Sequence, residues 1–164
     1  MNLEKLYTLS AELGQLLTEK KLFFTSAESC TGGWIGQSVT AVPGSSKWYG
    51  MGFVTYSNIA KVKVLGVKED SLKHFGAVSE EVVSEMALGA LDISNSQLSV
   101  AISGIAGPGG GTKDRPVGTV CIAWLLEGRE IVSTTELFSG DRNEVRYATV
   151  ECALTNSIRL IKEN

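Results

Sequence analysis

The chain has a single histidine, His74, among its 164 residues. A metal site built from several histidines is therefore excluded, and a nucleophile paired with histidine would have to use this residue. His74 lies in the segment SLKHFG, which is typical of an exposed helix end, where a cation has an ordinary structural role. If the chain carries out acyl transfer, we expect its general base to be a lysine, as in serine–lysine pairs.

Cysteines and long apolar runs are also scarce. The three cysteines, at positions 30, 121 and 152, are odd in number and widely spaced, and no C-x-x-C occurs. We therefore expect neither a disulfide framework nor a zinc knuckle, and a reducing compartment fits. No apolar run approaches the roughly 20 residues that span a bilayer, and the first residues show no signal-peptide pattern. These absences predict a cytoplasmic protein that has no membrane partner.

Positive charge is in slight deficit, with 15 lysines and arginines against 18 acidic residues and a net charge of −3. Proteins that bind nucleic acids usually carry a basic excess, so we expect no nucleic-acid partner. The hydrophobic fraction of 43% is typical of a globular protein. The length suits one domain with a full core and is too short for two ordinary domains, which predicts a single domain over residues 1–164.

Hydrophobic periodicity predicts helices that alternate with strands. Leucine spacing and capping signals predict helices over residues 3–20, 34–41, 58–66, 79–92 and 142–162, besides the short one that ends near His74. Short β-rich runs predict five strands, with the last two forming a hairpin, over residues 22–27, 52–56, 98–103, 117–124 and 130–137. This order predicts an α/β fold, a three-layer α/β/α sandwich with a mixed, mostly parallel sheet.

Residues 27–33, AESCTGG, follow the first predicted strand and precede a predicted helix. The backbone amides of such a turn, at the positive end of a helix, can hold an anion or stabilise an oxyanion. The turn offers two nucleophiles, the Ser29 hydroxyl and the Cys30 thiol, and a helix N-terminus lowers the pKa of a thiol. The alternative is that Ser29 or Thr31 only caps the helix.

Lys61 is the candidate base. It lies in the first turns of the helix that follows the strand ending near Tyr56, so both side chains could face the same crevice as Ser29. A lysine acts as a base only when neutral, which requires burial or a nearby cation to lower its pKa from about 10.4 towards about 7–8. Tyr56 could orient Lys61 or relay a proton. The alternative is that Lys61 is an ordinary solvated helix lysine.

A glycine-rich loop over residues 104–116 follows the third predicted strand. Its glycines, Gly107 and Gly109 among them, would let the backbone approach a ligand closely. Neither a P-loop nor a dinucleotide-binding pattern is present, so the loop by itself does not specify the ligand. The alternative is a structural loop with several turns.

Arg142 lies in the first turn of the last predicted helix. A forked guanidinium group beside free helix amides suits a phosphate group. The alternative is an ion pair with Glu144 or Glu151.

Five segments resemble the CinA C-terminal domain family, and they occur in the family's order. They are AESCTGG at 27–33, GFVTYSN at 52–58, GAVS at 76–79, ISGIAGP at 102–108 and PVGTV at 116–120. The flanking helices also fit, so the resemblance spans the whole chain. The motifs are most similar to the stand-alone bacterial members, which are nicotinamide-nucleotide amidases, and they imply an α/β/α fold with a mixed sheet.

The resemblance implies hydrolysis of nicotinamide mononucleotide to nicotinate mononucleotide and ammonia, in pyridine-nucleotide salvage, with no metal and no cofactor. The family's nucleophile corresponds to Ser29, its base to Lys61 and its assisting tyrosine to Tyr56. Further active-site hydroxyls correspond to Ser46 and Ser103. Together with the turn and the loop, the residues expected to contact the substrate are Cys30, Thr31, Gly32, Gly33, Ser46, Ser103, Gly107, Gly109 and Arg142.

The expected mechanism begins when neutral Lys61 takes the Ser29 proton as Oγ attacks the amide carbon. Amides of residues 30–33 would stabilise the oxyanion, Lys61 would protonate the departing ammonia, and water would cleave the acyl-enzyme. The alternative is a non-catalytic nucleotide-binding or regulatory module, which would not need a buried Lys61. A competence factor acting on nucleic acid is suggested only by the family's historical name, and the acidic charge opposes it. We expect a small-molecule substrate and a homo-oligomer, with a dimer as the commonest form.

Overall fold

The computed structural model describes residues 1–163. Within that range the chain forms six α-helices, a short 3₁₀ turn at Ser45–Lys47 and five strands. In chain order the elements are α1 Leu3–Lys20, β1 Phe24–Glu28, α2 Trp34–Thr40, β2 Tyr49–Val54, α3 Asn58–Leu65, α4 Glu69–Phe75, α5 Glu80–Ser94, β3 Leu98–Gly104, β4 Thr119–Leu126, β5 Val132–Leu137 and α6 Arg142–Lys162.

The five strands form one sheet in the order β2-β1-β3-β4-β5. β1 is parallel to both of its neighbours, β2 and β3, whereas β4 is antiparallel to β3 and to β5. Four of the five strands therefore run in one direction, which confirms the predicted mixed, mostly parallel sheet. The carboxyl ends of β1, β2 and β3 consequently meet at one edge.

Helices cover both faces of the sheet. One apolar cluster packs α1, α2 and α6 against the sheet and includes Leu13, Trp124 and Leu154. A second cluster lies under α3 and α5 on the opposite face and includes Leu65 and Met86. Burial on both faces explains why all five residues of β1 are buried, and it confirms the three-layer sandwich. No helix in residues 1–163 is long and apolar enough to cross a membrane.

Most element boundaries agree with the sequence pattern, and the clearest exception is β2. The predicted strand covered 52–56, but the observed strand begins at Tyr49, which pairs with Phe24 of β1, and ends at Val54. The strand lies at the edge of the sheet and contains Gly50 and Gly52, so it lacks the apolar alternation by which a strand is recognised. Tyr56 therefore lies beyond the strand rather than at its end.

The position of α3 depends on a glycine in α5. The backbone of Gly89 lies against the carbonyl of Leu65 at the end of α3, and a Cβ at this position would collide with that carbonyl oxygen. At the other end of α3, the Ser57 hydroxyl accepts a hydrogen bond from the amide of Ala60, as the predicted N-cap requires. The helix that carries Lys61 is thus held at both ends.

Candidate active site

Ser29 is held at the carboxyl edge of the sheet, where α/β proteins bind their ligands. Its amide donates to the carbonyl of Ile102 at 3.0 Å, so the pairing of β1 with β3 continues one residue past the strand. Its carbonyl accepts from the amide of Gly32 at 3.0 Å, which closes a turn over residues 29–32. Both sides of the Ser29 backbone are therefore fixed.

Lys61 lies against Ser29 in the core. The side chain is almost fully buried, at 1% exposure, and its Nζ is 3.1 Å from the Ser29 Oγ. Nζ also donates to the carbonyl of Thr55 at 2.9 Å. The amide of Thr55 donates to the carbonyl of Glu28, so the sheet itself holds the group that orients the lysine. The structure thus brings the predicted nucleophile and base together.

Burial lowers the pKa of Lys61 below its ordinary value, and a weaker interaction with Cys30 opposes this shift. No carboxylate in residues 1–163 forms an ion pair with Lys61. Desolvation of the ammonium group is therefore uncompensated by a countercharge, which favours the neutral amine that a general base needs. The alternative of a solvated helix lysine is wrong.

The rival nucleophile, Cys30, lies in an environment that opposes thiolate formation. Burial raises the pKa of its thiol to about 12, and the negative charge of Glu28 adds to the rise. The expectation that a helix N-terminus lowers this pKa is wrong, because the thiol is buried at 6% exposure and Glu28 already accepts hydrogen bonds from three amides at the start of α2. The geometry favours Ser29 as the nucleophile.

Glu28 also belongs to the site, although no sequence motif pointed to it. Its carboxylate is 1% exposed and accepts hydrogen bonds from the amides of Gly33 and Ile35, both at 3.1 Å, and of Gly36 at 3.0 Å. An acidic residue at the end of a buried strand was the available signal. The three bonds fasten α2 to β1, and one of them occupies the amide of Gly33, which we expected to face a ligand.

Arg146 is the second such residue. Its Nε donates to the carbonyl of Cys30 at 3.1 Å and its Nη2 to the carbonyl of Thr31 at 2.8 Å. The guanidinium also stacks on the Trp34 ring, 5.2 Å from the ring centroid. The signal in the sequence was its position four residues after Arg142, on the same face of α6.

The four residues of the turn that were expected to bind substrate differ in whether their hydrogen-bonding groups are free. Gly32 and Gly33 adopt positive φ angles of 62° and 93°, which favour glycine, but their amides are bonded to the Ser29 carbonyl and to Glu28. The prediction that amides 30–33 all serve an oxyanion is therefore wrong for these two. Thr31 is fully buried, and its hydroxyl has no hydrogen-bond partner within the described chain.

Arg142 reaches the glycine-rich loop. Its Nη1 donates to the carbonyl of Gly107 at 2.7 Å and its Nη2 to the Tyr56 hydroxyl at 3.1 Å. The alternative of an ion pair with Glu144 or Glu151 is wrong, because Glu144 bonds the backbone of the capping box and Glu151 pairs with a lysine of α1. The guanidinium thus joins the loop to the segment after β2.

Tyr56 has a different neighbour from the one expected. Its side chain is 61% exposed, and the hydrogen bond of its hydroxyl is with Arg142 rather than with Lys61. Tyr56 lies away from Lys61 because β2 ends at Val54, which leaves Tyr56 outside the strand. A direct role in orienting Lys61 therefore has no contact to support it.

Ser103 lies next to Ser29, one residue beyond Ile102 on the neighbouring strand. It is buried at 2% exposure, and its hydroxyl bonds no group in residues 1–163. In the loop that follows, Gly107 is buried with φ of 84°, and a Cβ there would meet Val117. Gly109 is exposed, with open space around it. Ser103 and Gly107 therefore belong to the candidate site more clearly than Gly109 does.

Ser46 is not brought to this site within one chain. It is exposed in the 3₁₀ turn that precedes β2. Because β2 is parallel to β1, this turn lies at the amino edge of the sheet, whereas Ser29 lies at the carboxyl edge. Five strand residues at about 3.3 Å each put the two edges on the order of 15 Å apart. The expectation that Ser46 lies in the same site as Ser29 is therefore wrong for a single chain, because the parallel register of β1 and β2 places the two serines at opposite edges of the sheet.

His74 lies in the last turn of α4, exposed, with its Nδ1 bonded to the carbonyl of Asp70 at 2.7 Å, as the sequence pattern predicted. Across residues 1–163 there is no cluster of three or more histidine, cysteine and acidic side chains placed to hold a metal ion.

The fold and the site define a class, a three-layer α/β protein with a buried serine–lysine pair at the carboxyl edge of its sheet. The CinA C-terminal domain family matches residues 6–161, and this chain belongs to that family. The family predicted from the motifs is thereby confirmed.

Close relatives carry a specific name. A protein of Enterobacter agglomerans called nicotinamide-nucleotide amidohydrolase PncC is 44% identical over 164 residues, which cover all of both chains. The protein of that name from Escherichia coli strain K12 is 49% identical over 150 residues, covering 92% of this chain and 91% of its own. The crystal structure of a CinA superfamily protein from Klebsiella pneumoniae 700603 superposes with a TM-score of 0.94 at 34% identity, over 100% of both chains.

Proposed function

We propose that this chain hydrolyses nicotinamide mononucleotide to nicotinate mononucleotide and ammonia, in pyridine-nucleotide salvage, with Ser29 as nucleophile and Lys61 as base. The relatives named for this activity match the chain along nearly its whole length. The observation that supports the mechanism is the 3.1 Å approach of a buried lysine, without a countercharge, to the serine hydroxyl. A neutral amine in this position can accept the serine proton.

The first half of the reaction transfers the acyl group to the enzyme. Lys61 takes the proton of Ser29 as Oγ bonds to the carboxamide carbon, and the carbonyl oxygen becomes an oxyanion. The protonated Lys61 then gives its proton to the amide nitrogen, the C–N bond breaks, and ammonia leaves. The Thr55 carbonyl holds one N–H of the lysine, which leaves the opposite side of Nζ for proton exchange.

The second half releases the product. Lys61, neutral again, takes a proton from water as the water oxygen attacks the acyl carbon. The ester bond to Ser29 breaks, Oγ recovers the proton from Lys61, and nicotinate mononucleotide leaves. No group outside the chain, the substrate and water is needed to balance these steps.

Arg142 and Ser103 are the groups proposed to bind the remainder of the substrate. Arg142 spans from the loop carbonyl of Gly107 to Tyr56 and retains donors for a phosphate group. The unpaired hydroxyl of Ser103, next to Ser29, can donate to or accept from the substrate. The cytoplasmic location and the homodimer stay predictions.

A non-catalytic nucleotide-binding module is the competing function. Such a module would use the loop and Arg142 but has no need of a buried lysine, whose desolvation without a countercharge costs stability. The burial of Lys61 against Ser29 therefore favours the enzyme. The chain has no excess of basic residues, which argues against a role in binding nucleic acid.

The test is ammonia release from nicotinamide mononucleotide by metal-stripped protein, with Ser29→Ala and Lys61→Met compared with wild type. Lys63→Met is the matched control, because Lys63 is exposed on the same helix. We expect wild type and Lys63→Met to release ammonia and both site variants to lose at least about 1,000-fold in kcat. No ammonia from folded wild type would favour the binding module, and an active Lys61→Met would exclude the lysine as base.

A further inference from the structure

The outer edge of β2 is open. β2 is the first strand in the order of the sheet, and no strand of residues 1–163 pairs with its outer side. Edge strands that stay unpaired usually carry charged residues or proline along the edge. Residues 49–60, YGMGFVTYSNIA, contain neither. The edge is therefore a template on which a further strand can pair.

Large apolar side chains are concentrated beside this edge. Four of them are at least 43% exposed, namely Met51, Val54, Tyr56 and Ile59. A cluster of exposed apolar groups marks a surface that binds another protein. Because the same segment holds no charge, it can meet an identical segment without like-charge repulsion. These properties fit a second copy of this chain, since symmetric pairs are the commonest assemblies.

The backbone of β2 offers hydrogen bonds to such a copy. The Thr55 amide bonds the Glu28 carbonyl on β1, so this backbone group faces inward. Successive residues of a strand direct their backbone groups to alternate sides. The groups of Phe53 therefore also face β1, whereas those of Gly52 and Val54 face away from the sheet. An identical strand can pair with these outward groups, and a two-fold symmetric pair of hydrogen-bonded strands is antiparallel.

Antiparallel pairing brings the start of one strand beside the end of the other. The 3₁₀ turn at Ser45–Lys47 precedes β2 and lies at the amino edge of its own sheet. In the pair, the turn of the second copy arrives beside Tyr56, at the carboxyl edge where Ser29 of the first copy lies. Any register that keeps most of β2 paired has this result. Two strand spacings put the backbone of the added strand about 10 Å from that of β1.

The turn can supply a cation and a hydroxyl to this edge. Ser45 is buried in its own subunit, whereas Ser46 and Lys47 are exposed. Lys47 takes part in no ion pair within residues 1–163, so its ammonium group is available to an anion. Arg142, the group assigned to the substrate phosphate, bonds the Tyr56 hydroxyl and so lies where the turn of the second copy arrives.

We propose that two copies of this chain pair through β2 and that the partner subunit's Lys47 binds the substrate phosphate together with Arg142. This assignment rests on the proposed amidase function, which supplies the phosphate. The same pairing places the partner subunit's Ser46 at the carboxyl edge, from which Ser46 is excluded within one chain. Each active site is then complete only in the dimer, because a basic group of the second chain adds to the charge that holds the phosphate.

The first experiment changes the edge strand and leaves the site residues in place. Met51→Lys puts a charge on β2, where the same charge on the second copy repels it. Val132→Lys is the matched control, because Val132 is 45% exposed in β5, the other edge strand, and Met51 is 43% exposed. Sedimentation velocity should give twice the chain mass of 17.5 kDa for wild type and Val132→Lys, but the chain mass for Met51→Lys. The KM of Met51→Lys for nicotinamide mononucleotide should rise about tenfold, and that of Val132→Lys should equal wild type.

The second experiment asks which chain supplies Lys47. Lys47→Met should raise KM for nicotinamide mononucleotide about tenfold. Ser29→Ala and Lys47→Met chains with different affinity tags are co-expressed, and the mixed dimer is isolated through both tags. One of its two sites then combines Ser29 with an intact Lys47 from the other chain. We expect this dimer to show the wild-type KM and half the wild-type kcat. A mixed dimer of Lys47→Met with the double variant Ser29→Ala/Lys47→Met is the control and should keep the raised KM.

Several outcomes would overturn the proposal. A Met51→Lys protein that stays dimeric would exclude β2 as the interface, and a wild-type KM in Lys47→Met would exclude the lysine as a phosphate ligand. If Met51→Lys does not fold, Val54→Lys on the same edge decides by the same masses. A monomeric wild type that releases ammonia would refute the pairing and leave the proposed function standing. A dimeric wild type that releases no ammonia, with a monomeric Met51→Lys, would refute the proposed function and leave the pairing.

Discussion

The carboxylate of Glu28 accepts a hydrogen bond from the amide of Gly36 at 3.0 Å and so joins the end of β1 to the first turn of α2. The same carboxylate bonds two further amides, that of Gly33 just before α2 and that of Ile35 in its first turn. The nucleophile, Ser29, is the next residue in the chain. The turn that presents Ser29 is thus held in place by a buried carboxylate.

Replacing Glu28 with glutamine should destabilise the protein. The amide side chain has one acceptor oxygen where the carboxylate has two, so at least one buried backbone donor loses its partner, at a cost of about 1–3 kcal/mol. Urea unfolding measures the difference. Glu81→Gln, on the exposed first turn of α5, is the control and should change stability by less than about 0.5 kcal/mol. Equal stability of the two variants would contradict this account of the turn.

The activity should rise with pH and then level off as Lys61 loses its proton. Because burial lowers the pKa of Lys61, the midpoint of kcat/KM should lie below the ordinary lysine value of about 10.4. A pH profile of initial rates measures it. A midpoint at or above the ordinary value would show that Lys61 is not the titrating base.

The same group should make stability depend on pH. Between the lowered pKa of folded Lys61 and the ordinary value, the unfolded chain binds a proton that the folded chain does not. The free energy of unfolding should therefore increase as pH rises through this window. Lys61→Met should remove that part of the slope, as compared by urea unfolding at a series of pH values. A slope that is the same in both proteins would contradict the assigned burial effect.

Cys30→Ala should remain active. With its pKa raised to about 12, the thiol is protonated near neutral pH and cannot be the nucleophile. We expect kcat within about twofold of wild type, because the substitution leaves the backbone of the turn in place. Iodoacetamide should also leave Cys30 unmodified in the folded protein, as peptide mapping would show. A loss of activity comparable to that of Ser29→Ala would return Cys30 to consideration as the nucleophile.

Arg142→Gln should weaken binding of the nucleotide more than binding of the nucleoside. A phosphate bound by the guanidinium loses its charge-assisted hydrogen bonds, so KM for nicotinamide mononucleotide should rise about tenfold. Nicotinamide riboside, which has no phosphate, should be turned over by wild type and variant with the same KM. Parallel steady-state assays of both substrates distinguish the two effects. An equal rise for both would assign Arg142 to the loop contact with Gly107 rather than to the phosphate.

The local pattern of the chain predicted much of the fold. Leucine periodicity located α1, the capping box of Asp141 and Glu144 marked where α6 begins, and Ser57 marked the start of α3. The motif that contains Ser29 was recognisable because a buried strand, a small polar turn and a helix each have their own short-range composition. β2 was misplaced because an exposed edge strand with two glycines lacks that signal.

By itself the sequence determined most of the elements, their order, the family and the candidates Ser29 and Lys61, since each depends on neighbours along the chain. Tertiary structure decided which candidates meet. The approach of α3 to β1 buries Lys61 on Ser29, and the parallel register of β2 removes Ser46 to the other edge. Burial likewise turned Cys30 from a rival nucleophile into a protonated core thiol. Long-range packing sets these distances and solvent exposures, and no local pattern encodes them.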